Sequence, residues 1–109
     1  MRIYDLFDPR NNDARALTKD HCASDPMEAK RIKEMGGRVT TDNIGRSLVN
    51  SRLAMSRSIG DLELKKYGVT SKPQLKKVTI KHGKDQFLVL TSDGINWVMR
   101  DQEVRVTQV

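Results

Sequence analysis

The sequence predicts an α+β fold, and three observations carry that prediction. Residues 24–37 hold one well-signalled helix. Val78–His82 alternates apolar and polar residues and leads through Gly83-Lys84-Asp85 into the run Gln86–Ser92, the pattern of a β-hairpin. Between helix and hairpin the chain is long, polar and irregular. So little regular structure buries little apolar surface for the conformational entropy lost on folding. The inventory reads as part of a larger sheet-plus-helix domain, unfinished at both ends.

Residues 1–16 are ambiguous. Ile3, Leu6 and Phe7 suit the apolar face of a helical turn, and Pro9 with Asn11-Asn12-Asp13 makes a polar break. In the helix that follows, Asp25 is the expected N-cap and Pro26 the first helical residue. Glu28, three positions after Asp25, gives a capping-box-like pattern with Asp in place of Ser or Thr. Met27, Ile32 and Met35 supply the apolar contacts, Lys30, Arg31 and Lys33 face solvent, and Gly36-Gly37 ends the helix.

Short extended pieces are expected around Val39-Thr40-Thr41 and Leu48-Val49, with a turn at Asn43-Ile44-Gly45. Leu62–Gly68 reads as either a helical turn or a loop, and Lys72-Pro73 breaks the chain. Phe87-Leu88-Val89-Leu90 suits a strand buried on both faces. Asp101 could cap a final helix carrying Val104. There is no internal repeat and no low-complexity segment.

Composition narrows the function. Lys+Arg 20 against Asp+Glu 14 gives a net charge of +6, but the basic residues are scattered and aromatics are only 5%. There is no long basic run and no stacking ladder, so a solvated surface is expected rather than nucleic-acid binding. No apolar run approaches membrane-spanning length, and no membrane partner is expected. The single cysteine, Cys22, has no internal partner for a disulfide or a metal pair and suits a reducing compartment. Met1–Asp8 carries two acids and no long apolar core, so no secretory signal or presequence is legible there.

Few residues could carry chemistry. There is no nucleophile elbow and no Walker-type phosphate loop. His21 and His82 lie far apart; packing or a local hydrogen bond suits the first, exposure the second. The acidic candidates are Asp61, which follows Gly60, and Asp93, which precedes Gly94. Hard divalent ions favour carboxylate oxygens. A rigid strand ending in Thr91-Ser92-Asp93-Gly94 delivers a carboxylate to the rim of a sheet, and Gly94 allows a sharp turn and a close approach there. Taken alone, the same stretch reads more readily as a buried strand that stops in an Asp-Gly turn, since Asp-Gly is a common turn signal.

Three blocks give a resemblance. Leu17-Thr18-Lys19-Asp20-His21 with Glu28, Arg31-Ile32, Gly36-Gly37 and Val39 form the first, and Val49–Asp61 followed by Lys65 and Pro73 the second. Asp85–Ile95 is the third. In this order they resemble the PPM-type, or type 2C, metal-dependent serine/threonine protein phosphatases, over about residues 17–106. The wording around Ser56–Lys65 and Asp93–Asn96 is most similar to the mitochondrial branched-chain α-keto acid dehydrogenase phosphatase branch.

The resemblance implies a partial PPM-type fold, an antiparallel β-sandwich flanked by helices, over residues 17–109, with residues 1–16 as a non-matching segment. It implies two bridging Mg2+ or Mn2+ ions that activate water toward phosphoserine or phosphothreonine, with a phosphoprotein as substrate. It makes Asp93 a metal ligand beside Gly94, assigns Val39–Asp61 to the flap region, and gives Arg57 and Asp61 structural roles.

The departures imply an incomplete site. The family's Asp-Gly-His-Gly-Gly block, an earlier metal glutamate, a phosphate-binding arginine and a later Asp-Asn block are absent, and Trp97 stands where the family often has another aspartate. The expectation is a phosphatase family member whose isolated 109-residue chain is inactive. The alternatives are a truncated, non-catalytic member that binds a protein partner, and a small basic binding protein. The compartment stays open between mitochondrial and cytoplasmic.

Overall fold

A computed structural model describes residues 2–6, 14–83, 87–96, 98 and 100. Among them the elements run β1 (Arg2–Leu6), β2 (Ala14–Ala16), α1 (Pro26–Glu34), β3 (Val39–Thr41), β4 (Ser47–Val49), α2 (Leu62–Lys65), β5 (Phe87–Thr91) and α3 (Asp93–Asn96). The chain divides into two compact units, one formed by Met1–Asp20 with Gln74–Val109 and the other by His21–Pro73.

In the first unit β1 lies between β2 and β5, antiparallel to both. The register sets Tyr4 opposite Ala16 on one side and opposite Val89 on the other. Three sequence expectations are corrected here. The start of the chain is a strand rather than a helical turn, because Arg2–Leu6 gains ladder partners in β5, more than eighty residues away, that no local pattern shows. Residues 71–81 hold no strand, so the expected hairpin with Val78–His82 does not form and β5 pairs with β1 instead. Nor is β5 buried on both faces: Leu88 and Leu90 are 63% and 57% exposed, whereas Val89 is half-buried and Thr91 is buried. An antiparallel strand needs only one covered face, and Val89 and Thr91 share it. The expectations at Phe7, Pro9, Asn11–Asp13, Lys84–Gln86, Trp97, Met99, Asp101 and Val104 lie outside the described residues.

The second unit is organised around α1. Asp25 caps it as expected, its Oδ2 accepting from the amides of Met27 and Glu28 at 3.1 Å each. The capping box does not close: the Asp25 amide donates to the Cys22 carbonyl at 3.1 Å, and the Glu28 carboxylate turns inward to other partners. The buried positions of α1 are Glu28 and Ile32, one turn apart on one face. Met27, 71% exposed, and Met35, also exposed, do not supply the expected packing, because they flank that face. Lys30 and Lys33 are exposed as expected, whereas Arg31 is half-buried against Glu28. The helix closes with the Gly37 amide donating to the Ile32 carbonyl at 2.8 Å.

β3 and β4 form an antiparallel hairpin with Val39 opposite Val49. Its turn is tied by Asp42, whose Oδ1 accepts from the amides of Ile44 and Arg46 at 3.0 and 2.8 Å, which matches the turn expected at Asn43–Gly45. The two extended pieces expected in this region are therefore strands of one hairpin. Ile32, Val49, Leu64, Val69 and Ala23 make the core, with Val39, Leu53 and Tyr67 packed against it. The Leu62–Gly68 stretch supplies Leu64 to that core through the single turn of α2.

Candidate functional site

Asp93 opens α3 two residues after β5 ends, so a hydrogen-bonded strand carries it to the end of the sheet. The turn that follows is tied by the Ile95 amide donating to the Ser92 carbonyl at 3.1 Å. Asp93 is exposed. Gly94 differs from expectation: it lies within α3, and a Cβ there would meet only Ser92 Oγ, at an ordinary 3.7 Å. No special backbone shape or close approach requires glycine at that point.

Among the described residues no three His, Cys, Asp or Glu side chains gather into a metal-holding group. Asp93 offers one carboxylate, and Mg2+ or Mn2+ needs several oxygens to displace its water. The described donors do not fit a resident metal by themselves, and no metal-dependent step is derived for them. Asp61, the other acidic candidate, belongs to the second unit. It sits at φ +47°, and its Oδ2 accepts from Ser58 Oγ at 2.6 Å. Its carboxylate serves a local turn.

The densest polar construction is one that the sequence reasoning missed. The Glu28 carboxylate is nearly enclosed and takes bonds from three side chains. Arg31 grips it as a fork, Nη1 to Oε1 at 2.9 Å and Nη2 to Oε2 at 2.6 Å. Arg57 Nη2 reaches Oε1 at 2.6 Å, and its Nε lies 3.2 Å from each oxygen. Fully buried Ser56 donates from Oγ to Oε2 at 2.5 Å. The arginines continue outward to carbonyls: Arg31 to Gly68 at 2.8 Å and Ser56 at 3.1 Å, Arg57 to Lys72 at 3.1 Å. One carboxylate thus joins α1 to the segments 56–58 and 68–72.

Electrostatics follows the geometry. Bonds from Arg31 hold the Glu28 carboxyl well below the usual carboxylate range, with Arg57 and Ser56 adding to them against the opposing effect of burial. The bonds to Glu28 raise the Arg57 guanidinium above its ordinary value. Buried donors and acceptors so matched leave no side-chain polar atom orphaned among the described residues. This cluster holds structure rather than reacting. Its signal in the sequence was the i,i+3 pair Glu28–Arg31 beside Ile32; the third and fourth members come from a distant stretch.

Antiparallel sheets combined with short helices make this a partial α+β chain, with an acidic residue, Asp93, set two residues beyond a strand end. A family model, Protein phosphatase 2C, matches residues 9–107. The chain belongs to the protein phosphatase 2C family.

It is 51% identical over 88 residues to "Protein phosphatase 1K, mitochondrial" of Xenopus laevis, covering 81% of this chain and 24% of that protein. It is 43% identical to "Probable protein phosphatase 2C 17" of Arabidopsis thaliana, covering 83% of this chain and 31% of that one. Among solved structures, a serine-threonine phosphatase 2C from Toxoplasma gondii matches with TM-score 0.81 and 26% identity, over 94% of this chain and 37% of its own. A C. elegans sex-determining protein matches with TM-score 0.80 and 28% identity, over 94% of this chain and 24% of its own. The chain therefore carries a partial PPM-type fold and spans about a sixth to a third of the length of the curated relatives it matches. No helix among the described residues is long and apolar enough to cross a membrane.

Proposed function

We propose that this chain supplies part of a metal-dependent phosphatase domain that hydrolyses phosphoserine and phosphothreonine esters in proteins. The observation that carries the reading is the family match over residues 9–107, which includes a strand delivering Asp93 to the end of its sheet. In the complete domain Asp93 donates one carboxylate to Mg2+ or Mn2+, and the remaining ligands come from sequence this chain does not contain. The bound ions would lower the pKa of a water and neutralise charge on the phosphoryl oxygens. Among the described residues too few oxygen donors gather to retain the metal, and the isolated 109-residue chain is expected to be inactive.

The test is a chimera in which this chain replaces the corresponding segment of a full-length 2C phosphatase. Manganese-dependent hydrolysis of p-nitrophenyl phosphate is expected from the chimera, none from the isolated chain, and none from the chimera with Asp93→Ala. Unchanged turnover in that variant would overturn the assignment of Asp93. For the complete protein we propose a mitochondrial address, supported by the similarity to the Xenopus laevis protein. A fluorescent fusion of the complete protein that stays outside mitochondria would overturn it.

A further inference from the structure

We propose that the Glu28–Arg31–Ser56–Arg57 cluster is a polar latch: it sets how readily the exposed loop 58–63 opens, in addition to the hold that the apolar core keeps on the residues flanking it. The argument begins with what the loop lacks. From Ser58 to Glu63 no apolar side chain is buried: Ile59 is 95% exposed and Leu62 81% exposed. Gly60 and Asp61 both take positive φ, at +90° and +47°, a strained shape for Asp61 that its surroundings must hold. The loop's own links are polar. Ser58 Oγ donates to Asp61, Lys65 Nζ donates to the Ser58 carbonyl, and the Arg52–Glu63 ion pair is exposed and weak.

What fixes the loop is its base. The strand-like contact there consists of the Ser58 amide to the Thr70 carbonyl at 3.0 Å and the Thr70 amide to the Ser56 carbonyl at 3.3 Å. Both partners are held to α1 through Glu28: Ser56 and Arg57 bond its carboxylate directly, and Arg31 and Arg57 reach the carbonyls of Gly68 and Lys72 on the far side. The apolar core, which secures α1, β3 and β4 through Ile32, Val39 and Val49, also reaches the flanks of the loop through Leu64 and Val69, but takes in no side chain from Ser58 to Glu63. Regions held by few apolar contacts open locally, below the free energy of global unfolding. Here the bonds that resist local opening are charge-assisted and converge on one carboxylate.

Amide hydrogen exchange on the full 109-residue chain tests this, comparing wild type with Arg57→Met and Glu28→Gln. Arg57→Met leaves the Arg31–Glu28 fork and the Ser56–Glu28 bond in place and removes the links that Arg57 makes to Glu28 and to the Lys72 carbonyl. The amides of Ser56, Ser58 and Thr70 are expected to exchange about tenfold faster, the loss of one charge-assisted bond, while those of Ala29, Met35 and Val49 keep their wild-type rates. Glu28→Gln should accelerate the same three amides further. Equal acceleration at all six amides would show a contribution to global stability only and would overturn the latch, as would unchanged exchange at the three base amides. If Glu28→Gln fails to fold, Arg57→Met alone decides between these outcomes.

Discussion

Gly68 passes so close to Ile32 that a Cβ on Gly68 would stand 2.8 Å from the Ile32 Cα. Its φ of +95° adds a second reason for glycine. The contact lets the 68–72 segment lie against α1, where Arg31 Nε bonds the Gly68 carbonyl at 2.8 Å. Gly68→Ala must therefore both strain the backbone and push the segment off the helix. A loss of about 3 kcal/mol is expected from the two costs together. Gly45→Ala is the control: its φ is +82°, but nothing lies within 4 Å of the added Cβ, so only about 1 kcal/mol should be lost. Urea unfolding midpoints of the two variants give the comparison.

The second unit rests on a small core, so one side chain should matter much there. Ile32 is fully buried between Ala23, Val49, Leu64 and Val69. Ile32→Ala is expected to cost about 3 kcal/mol, the usual range for a buried aliphatic truncation. Met27→Ala, on the exposed side of the same helix, should cost under about 0.5 kcal/mol. Thermal unfolding followed by helical circular dichroism separates the two.

Acid should act on this unit through Glu28. Its folded-state pKa is depressed from the ordinary 4.5 by Arg31, Arg57 and Ser56, while unfolding restores the ordinary value. The unfolded state then binds the proton first, so the stabilisation is complete above that value and is lost as pH falls below it toward the folded pKa. Unfolding free energy measured from pH 6 down to pH 3 is expected to decline below about pH 4.5. Glu28→Gln should flatten that decline. A variant with wild-type acid sensitivity would assign it to other carboxylates.

Asp93 should be silent in the isolated chain. It is exposed and belongs to no group of three or more His, Cys, Asp or Glu side chains among the described residues. Asp93→Asn is expected to leave the unfolding free energy within about 0.5 kcal/mol of wild type. Millimolar Mn2+ should leave the melting temperature unchanged for both, since a ligand stabilises only as far as it binds. A manganese-dependent rise in the wild type that Asp93→Asn abolishes would show a site stronger than one carboxylate provides.

Local chemistry was legible wherever a few neighbouring residues decide the outcome. Asp25 and Pro26 set the start of α1, Gly36 and Gly37 its end, and the turn around Asn43–Gly45 joins two short strands. The motif blocks from Leu17 to Ile95 pointed to the family that the comparison confirms. The strand status of Arg2–Leu6 was not legible, because its ladder partner is Phe87–Thr91. The single covered face of β5 was hidden by an unbroken apolar run, which reads alike whether one face or both are buried.

By itself, then, the sequence determined the caps, the turns, the family and the lone strand-end carboxylate Asp93, since each depends on residue identity and short spacing. Only the tertiary structure decided that β1 pairs with β5, and that Glu28 leaves its expected capping role to gather Arg31, Ser56 and Arg57. The physical reason is the same in both cases. Ladder bonds and buried ion pairs reward partners brought together by folding, and their energy outweighs the weak local preferences that spacing along the chain can reveal.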